Sequence, residues 1–255
     1  MRGPIELLKA SWDIFINHWT LFLGVFLVPG VISAIFDFIS YKQTVIRDEN
    51  GIASSVPTFM LENPAGFWAL FGVVIVSLIF MSVALSKAVV ELNTTTVRSA
   101  YDFARRYAIP YAGLLLLIGV LVLLGGILLI IPGVIISVWL SFSYFVLLFE
   151  KKGIIDSMKA SREYVRGQWW AVFGRFLALG LAVIVLSIGT GLVGMVLSFF
   201  YIPEAASAAL VSFVTSAIAM PVVIAYYYFM YQDLRKLKGS SPIVAGTPVS
   251  NEAAV

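Results

Sequence analysis

Cysteine is absent from this 255-residue chain, and histidine occurs once, as His18. Without thiols there is no disulfide, no thiolate metal site and no cysteine nucleophile, and a lone imidazole cannot form a histidine cluster. Charge is scarce as well: 12% of residues are Asp, Glu, Lys or Arg, against 60% hydrophobic, a balance remote from that of soluble domains. The sequence also has no Gly-rich phosphate loop, no metal-ligand pair at helical spacing and no nucleophile beside a base. No catalytic residue, metal or cofactor is therefore expected, and the chain reads as a protein other than an enzyme.

What is present is apolar sequence in long uncharged runs, with a mean hydropathy of +0.97. A spanning helix needs about 20 apolar residues. The runs predict six spans: Thr20–Ser40, Gly66–Ser86, Tyr111–Ile131, Gly133–Phe149, Trp169–Phe199 and Ala205–Tyr231. The third and fourth are separated by inference, because Tyr107–Phe149 is one uncharged run of 43 residues, too long for a single crossing at about 1.5 Å per residue. Proline stops helices and glycine tolerates reversals, which places the turn at Ile131-Pro132-Gly133. The fifth and sixth spans meet at Tyr201-Ile202-Pro203-Glu204, and a longer polar loop, Tyr41–Ala65, joins the first two. The expected fold is an all-α polytopic membrane bundle, a single domain over residues 1–238, with 239–255 a disordered tail rich in Ser, Pro, Gly and Ala.

Lysine and arginine set the orientation, since positive loops stay on the cytoplasmic side. Of the 17 such residues, all but Lys42, Arg47 and Arg175 fall on one side of the six-span layout. Both termini are then cytoplasmic. The pI of about 9.1 reflects this topology and an attraction to anionic headgroups, with no nucleic-acid partner implied. No small-residue cleavage site follows the first span, so that span is expected to be retained.

Ile5-Glu6-Leu7-Leu8-Lys9-Ala10-Ser11 aligns with Ile155-Asp156-Ser157-Met158-Lys159-Ala160-Ser161 at an offset of 150 residues, and Asp13, Trp19 and Gly24 meet Glu163, Trp169 and Gly174. A third, weaker copy sets Ala100-Tyr101-Asp102-Phe103 against Ser11-Trp12-Asp13-Ile14. The spans thus read as three repeats of an amphipathic elbow followed by a helical hairpin. In the first copy, the helix of residues 4–18 carries Ile5, Leu8, Trp12, Phe15 and Ile16 on one side, a stripe that Trp19 continues, and Glu6, Lys9, Asp13 and Asn17 on the other. This is the pattern of a helix lying in the headgroup plane. Simple extension of the spans beyond the membrane is the plainer alternative.

Four stretches together, Ile5–Trp19, Ile131-Pro132-Gly133, Glu150–Trp170 and Tyr231-Gln232-Asp233-Leu234-Arg235, resemble the glycerophosphoryl diester phosphodiesterase membrane-domain-like family, which includes bacterial six-span inner-membrane proteins. The family pattern falls on Glu150, Gly153, Ala160, Ser161, Arg162, Gly167 and Trp169. The resemblance implies a bacterial-type membrane module. The catalytic domain of the family's namesake is not expected here, since residues 232–255 are too few to form it, so its activity is not carried over.

Ionisable groups near or within spans are the remaining candidates. Asp37, Lys87 and Arg175 lie close enough to span ends to reach headgroups, and Arg175 is also a candidate for an intramembrane pair with Glu150. For Glu150 the more local partners are Lys151 and Lys152. Lys159, Arg162, Arg166, Trp169 and Trp170, with Arg105 and Arg106, form the expected contact surface for anionic lipid headgroups or for a protein partner, a second copy of the chain included. Gly174, Ala178 and Ala182, then Thr190, Gly194 and Ser198, recur every fourth residue and read as a close-packing stripe. Tyr226, Tyr227, Tyr228 and Tyr231 read as an interfacial aromatic anchor, and His18 as a solvated headgroup contact. The leading functional expectation is a non-catalytic structural, accessory or regulatory module of the envelope. The alternative is a transporter or flippase-like protein for a lipid or hydrophobic small molecule, with an intramembrane enzyme a distant third.

Overall fold

A computed structural model describes residues 1–47, 53–200 and 202–239. Six stretches are long and apolar enough to cross a membrane: Trp19–Ser40, Pro64–Val90, Val97–Ile127, Ile130–Phe149, Trp169–Leu197 and Glu204–Leu237. The chain is an all-α, multi-pass membrane bundle. In chain order its elements are α1 (Pro4–Asn17), α2 (Trp19–Ser40), β1 (Gln43–Arg47), β2 (Ala53–Pro57), α3 (Thr58–Glu62), α4 (Pro64–Val90), α5 (Val97–Leu128), α6 (Ile130–Leu140), α7 (Ser143–Phe149), α8 (Ile154–Val165), α9 (Trp169–Phe199) and α10 (Glu204–Leu237). The tail at 240–255, the loop tip at 48–52 and Tyr201 lie outside the described residues.

The spans follow one another around a ring, α2, α4, α5, α6–α7, α9 and α10, and α10 packs back on α2 and α4. Burial is concentrated at the end where α1 and α8 join the bundle, hereafter the basic end. Leu7, Phe22, Leu85, Ala88, Phe145, Tyr231 and Leu234 are buried there, whereas Leu116, Ile127 and Ile130 toward the other end are exposed. α9 is the least covered span: 6% of its most apolar stretch is buried inside the chain, against 44% for Ile130–Phe149.

Several boundaries differ from those read in the sequence. The third span starts at Val97, not Tyr111, because Thr96 and Ser99 cap it reciprocally: the Thr96 hydroxyl accepts from Ser99 N–H at 3.3 Å and the Ser99 hydroxyl accepts from Thr96 N–H at 3.0 Å. This helix runs unbroken through Ala100–Phe103 and Pro110, so the weaker third copy has no separate elbow. The reversal between α5 and α6 is at Leu129, which is extended (φ −165°, ψ 142°), and not at Ile131-Pro132-Gly133. Pro132 sits in the first turn of α6, where a missing N–H forfeits no helical bond. Gly125, Gly126 and Gly133 let the two helices meet, as a Cβ on Gly133 would lie 3.0 Å from the Gly126 nitrogen. The fourth span is not one helix: α6 and α7 are separated at Ser141–Phe142. The long loop between the first two spans carries an antiparallel hairpin, with Gln43 opposite Pro57 and Arg47 opposite Ala53.

One span interior shows how a proline is accommodated. Pro29 lies inside α2 and cannot donate to the Val25 carbonyl four residues back. The Tyr101 hydroxyl of α5 donates to that carbonyl instead, at 2.7 Å.

Candidate functional site at the basic end

Glu150 caps α7, and the chain leaves the helix through Lys151 in the left-handed region (φ 54°). The Glu150 carboxylate, 11% exposed, accepts hydrogen bonds from Tyr164 (2.8 Å) and Tyr231, pairs with Lys152 at 2.8 Å and lies 3.8 Å from the Arg235 guanidinium. Burial alone would raise its pKa. The hydrogen bonds from Lys152, Tyr231 and Tyr164, with the charge of Lys152, outweigh that effect and hold the carboxyl below its ordinary range. The acid thus ties α7, α8 and α10 together at one point. Its partner is the local Lys152, and the intramembrane pair with Arg175 does not form.

Arg175 belongs to a second knot. Its guanidinium donates to the backbone carbonyl of Arg2 through Nε (3.0 Å) and Nη2 (2.7 Å), and to the Ala171 carbonyl at 2.7 Å. Arg2 in turn donates to Asp233 from its backbone N–H (2.7 Å), Nε (3.1 Å) and Nη2 (2.9 Å), and lies over the Phe229 ring at 4.5 Å. The start of α1 is clamped between α9 and α10 by these bonds. With α1 so held, Leu7 and Ser11 are buried, while Ile5, Trp12, Ile16 and Trp19 remain exposed.

α8 is fastened across the break in the fourth span. The Ser161 hydroxyl accepts from Phe142 N–H (3.2 Å) and donates to the Trp139 carbonyl (2.7 Å), supplying the partners that a broken helix leaves free. Ser157, Met158 and Val165 are buried on the same side. On the outer side Lys159 and Arg166 are three-quarters exposed, and their neighbours Asp156 and Glu163 stand 3.9 and 3.8 Å away. Such long, solvated pairs contribute little. Arg162 has no carboxylate partner among the described residues and lies 4.6 Å over the Trp139 ring. Gly167, at φ 82°, turns the chain from α8 into α9, where Trp169 stacks on Phe173 at 5.0 Å and Trp170 is 78% exposed.

The other residues singled out in the sequence are more dispersed. Arg105 and Arg106 are exposed near the start of α5, Arg105 being 3.8 Å from Asp102. Lys87 pairs with Glu91 at 3.4 Å and faces the Phe103 ring. Asp37 accepts from Ser212 at 2.8 Å at the opposite end, and His18 forms the junction of α1 and α2. Two readings are corrected. Tyr226, Tyr228 and Tyr231 are buried, with Tyr226 donating to the Arg175 carbonyl and Tyr231 to Glu150, so they are core rather than an interfacial anchor. A Cβ added at Gly174 would meet nothing within 4 Å, and at Gly194 only Val211 at an ordinary 3.5 Å, so the small-residue stripe on α9 is not a tight helix contact.

Sequence reasoning located Ser161 but not its task, and it missed the Arg2–Asp233 clamp. Only the pairing of a basic residue before α1 with an acid at the end of α10 could have suggested that clamp. Apolar grooves open on the perimeter, one of them, of about 550 Å³, between α2 and α4. Another, of about 350 Å³, lies between α1, α9 and α10, and a third, of about 650 Å³, lies between α6 and the start of α9. A cavity of about 40 Å³ lies among α2, α4 and α10 beside Asp37 and Ser33, room for little more than a water molecule or two. No group of three or more His, Cys, Asp or Glu is placed to hold a metal among the described residues. No family model, no curated protein and no solved structure matches the chain.

Proposed function

We propose that this chain is a non-catalytic integral membrane protein of the cell envelope, an accessory or structural module that meets anionic lipid and protein partners through its interfacial helices. One observation carries the reading: the buried and half-buried ionic groups of the basic end, Asp233, Glu150 and Arg175, are occupied in joining helix ends, while the loosely paired charge of Lys159, Arg162 and Arg166 faces outward on α8. The positive-inside bias favours a cytoplasmic basic end, and the resemblance to bacterial six-span inner-membrane proteins favours an inner membrane. Both buried positions of α1, Leu7 and Ser11, recur at the 150-residue offset as the buried Ser157 and Ser161 of α8, which supports an internal repeat of the elbow.

The transporter alternative draws less support. The hydroxyls of Ser137, Ser141 and Thr190 bond to carbonyls of their own helices at 2.8, 2.8 and 3.0 Å and do not converge on a passage. The test is complementation in cells that require the protein, with insertion checked by membrane fractionation. Lys159→Gln, Arg162→Gln and Arg166→Gln combined should abolish function, whereas Ser137→Leu and Thr190→Leu should be tolerated. The reverse pattern would replace the accessory reading with the transport one.

A further inference from the structure

We propose that the α6–α8–α9 junction is a binding site for one anionic phospholipid, a deepening of the reading above that rests on its interfacial helices. The apolar groove of about 650 Å³ is lined by Ile131, Val134 and Ile135 of α6 and by Trp169, Trp170 and Phe173 of α9. A second crevice, of about 470 Å³, is lined by Lys159, Arg162, Glu163 and Arg166. Trp139 and Arg166 line both, so the two spaces adjoin. An aliphatic trough opening beside three cations and one acid has the chemistry of a diacyl lipid: chain along α6, phosphate at the basic residues.

Two further details fit this occupant. Arg162 has no acid to neutralise it among the described residues and is held against the Trp139 ring at 4.6 Å, which leaves its N–H edge available for a phosphate. The Ser161 hydroxyl fixes α8 to the break between α6 and α7, so the basic crevice is set in place before any lipid arrives.

The experiment is native mass spectrometry of the full chain, delipidated in mild detergent and titrated with phosphatidylglycerol or phosphatidylcholine. One phosphatidylglycerol should be retained per chain, with a preference of about tenfold over phosphatidylcholine. Combined Lys159→Gln, Arg162→Gln and Arg166→Gln should weaken retention roughly tenfold or more, and Val134→Trp should weaken it with the basic residues intact. Circular dichroism melts establish that each variant folds, with Arg166→Gln and Ile131→Trp as replacements if one does not. Equal retention of the two lipids would overturn the site. Several phosphatidylglycerols bound alike and untouched by Val134→Trp would also overturn it, while leaving diffuse headgroup contact, and the complementation result, standing.

Discussion

The Tyr101 hydroxyl donates to the Val25 carbonyl at 2.7 Å, the acceptor that Pro29 deprives of its helical partner. Tyr101→Phe should therefore leave a carbonyl unsatisfied inside the bundle and cost about 1–3 kcal/mol. In a Pro29→Ala background the helix regains its own N–H, and the same substitution should cost much less. Unfolding of the four proteins in detergent closes the double-mutant cycle, and strictly additive effects would exclude this coupling.

Ser161 and Ser11 are both buried, yet they differ in task. Ser11 donates only to the Leu7 carbonyl of its own helix at 2.7 Å, whereas Ser161 serves both sides of the α6–α7 break. Ser161→Ala should cost about 1–3 kcal/mol and Ser11→Ala well under that. Hydrogen exchange at the Phe142 amide should accelerate in the first variant and stay unchanged in the second.

Glu150 makes stability depend on acid. Its folded pKa lies below the ordinary 4.5, so its contribution is complete above about that value and is lost as pH falls through the lowered one. Glu150→Gln should destabilise the bundle by roughly 2 kcal/mol at neutral pH and flatten the acid limb of the melting profile. An unchanged acid limb would show that other carboxylates control it.

Two residues with positive φ should respond in opposite directions. Gly167 at φ 82° has no strain to relieve, and Gly167→Ala should destabilise by about 1 kcal/mol. Lys151 at φ 54° is exposed and carries that strain already, so Lys151→Gly should stabilise by roughly 0.5–1 kcal/mol. Thermal unfolding of the two variants checks the pair.

The spans were legible because lipid demands long apolar helices and the chain has no other use for runs such as Gly66–Ser86. Breaks inside apolar sequence were not: nothing in Leu129 or in Ser141–Phe142 marks an interruption, and Pro132 points to the wrong residue because a proline in a first turn begins a helix as readily as it stops one. At the basic end, the outward residues of α8 could be read from periodicity, since a charge repeated on one side of a short helix stays in water. Partnerships across the bundle could not. Arg175 and Glu150 are the charges flanking adjacent spans, but Lys152 is two residues from Glu150, and Arg175 finds a carbonyl 173 residues away. The Tyr226–Tyr231 run was misread because an amphipathic ring suits a wet interface and a hydrogen-bonded core equally well.

The clamp on Arg2 has a consequence for synthesis. Asp233 follows Arg2 by 231 residues, and at about 5–20 residues per second that interval is tens of seconds. Through that time α1 has neither the acid nor the α10 surface on which it later packs. On the proposed interfacial role of α1, the rings and aliphatic groups of Trp12, Ile16 and Trp19, which face outward even in the finished bundle, would hold the nascent segment at the bilayer surface. Made before every span it later touches, α1 is thus among the last elements to dock.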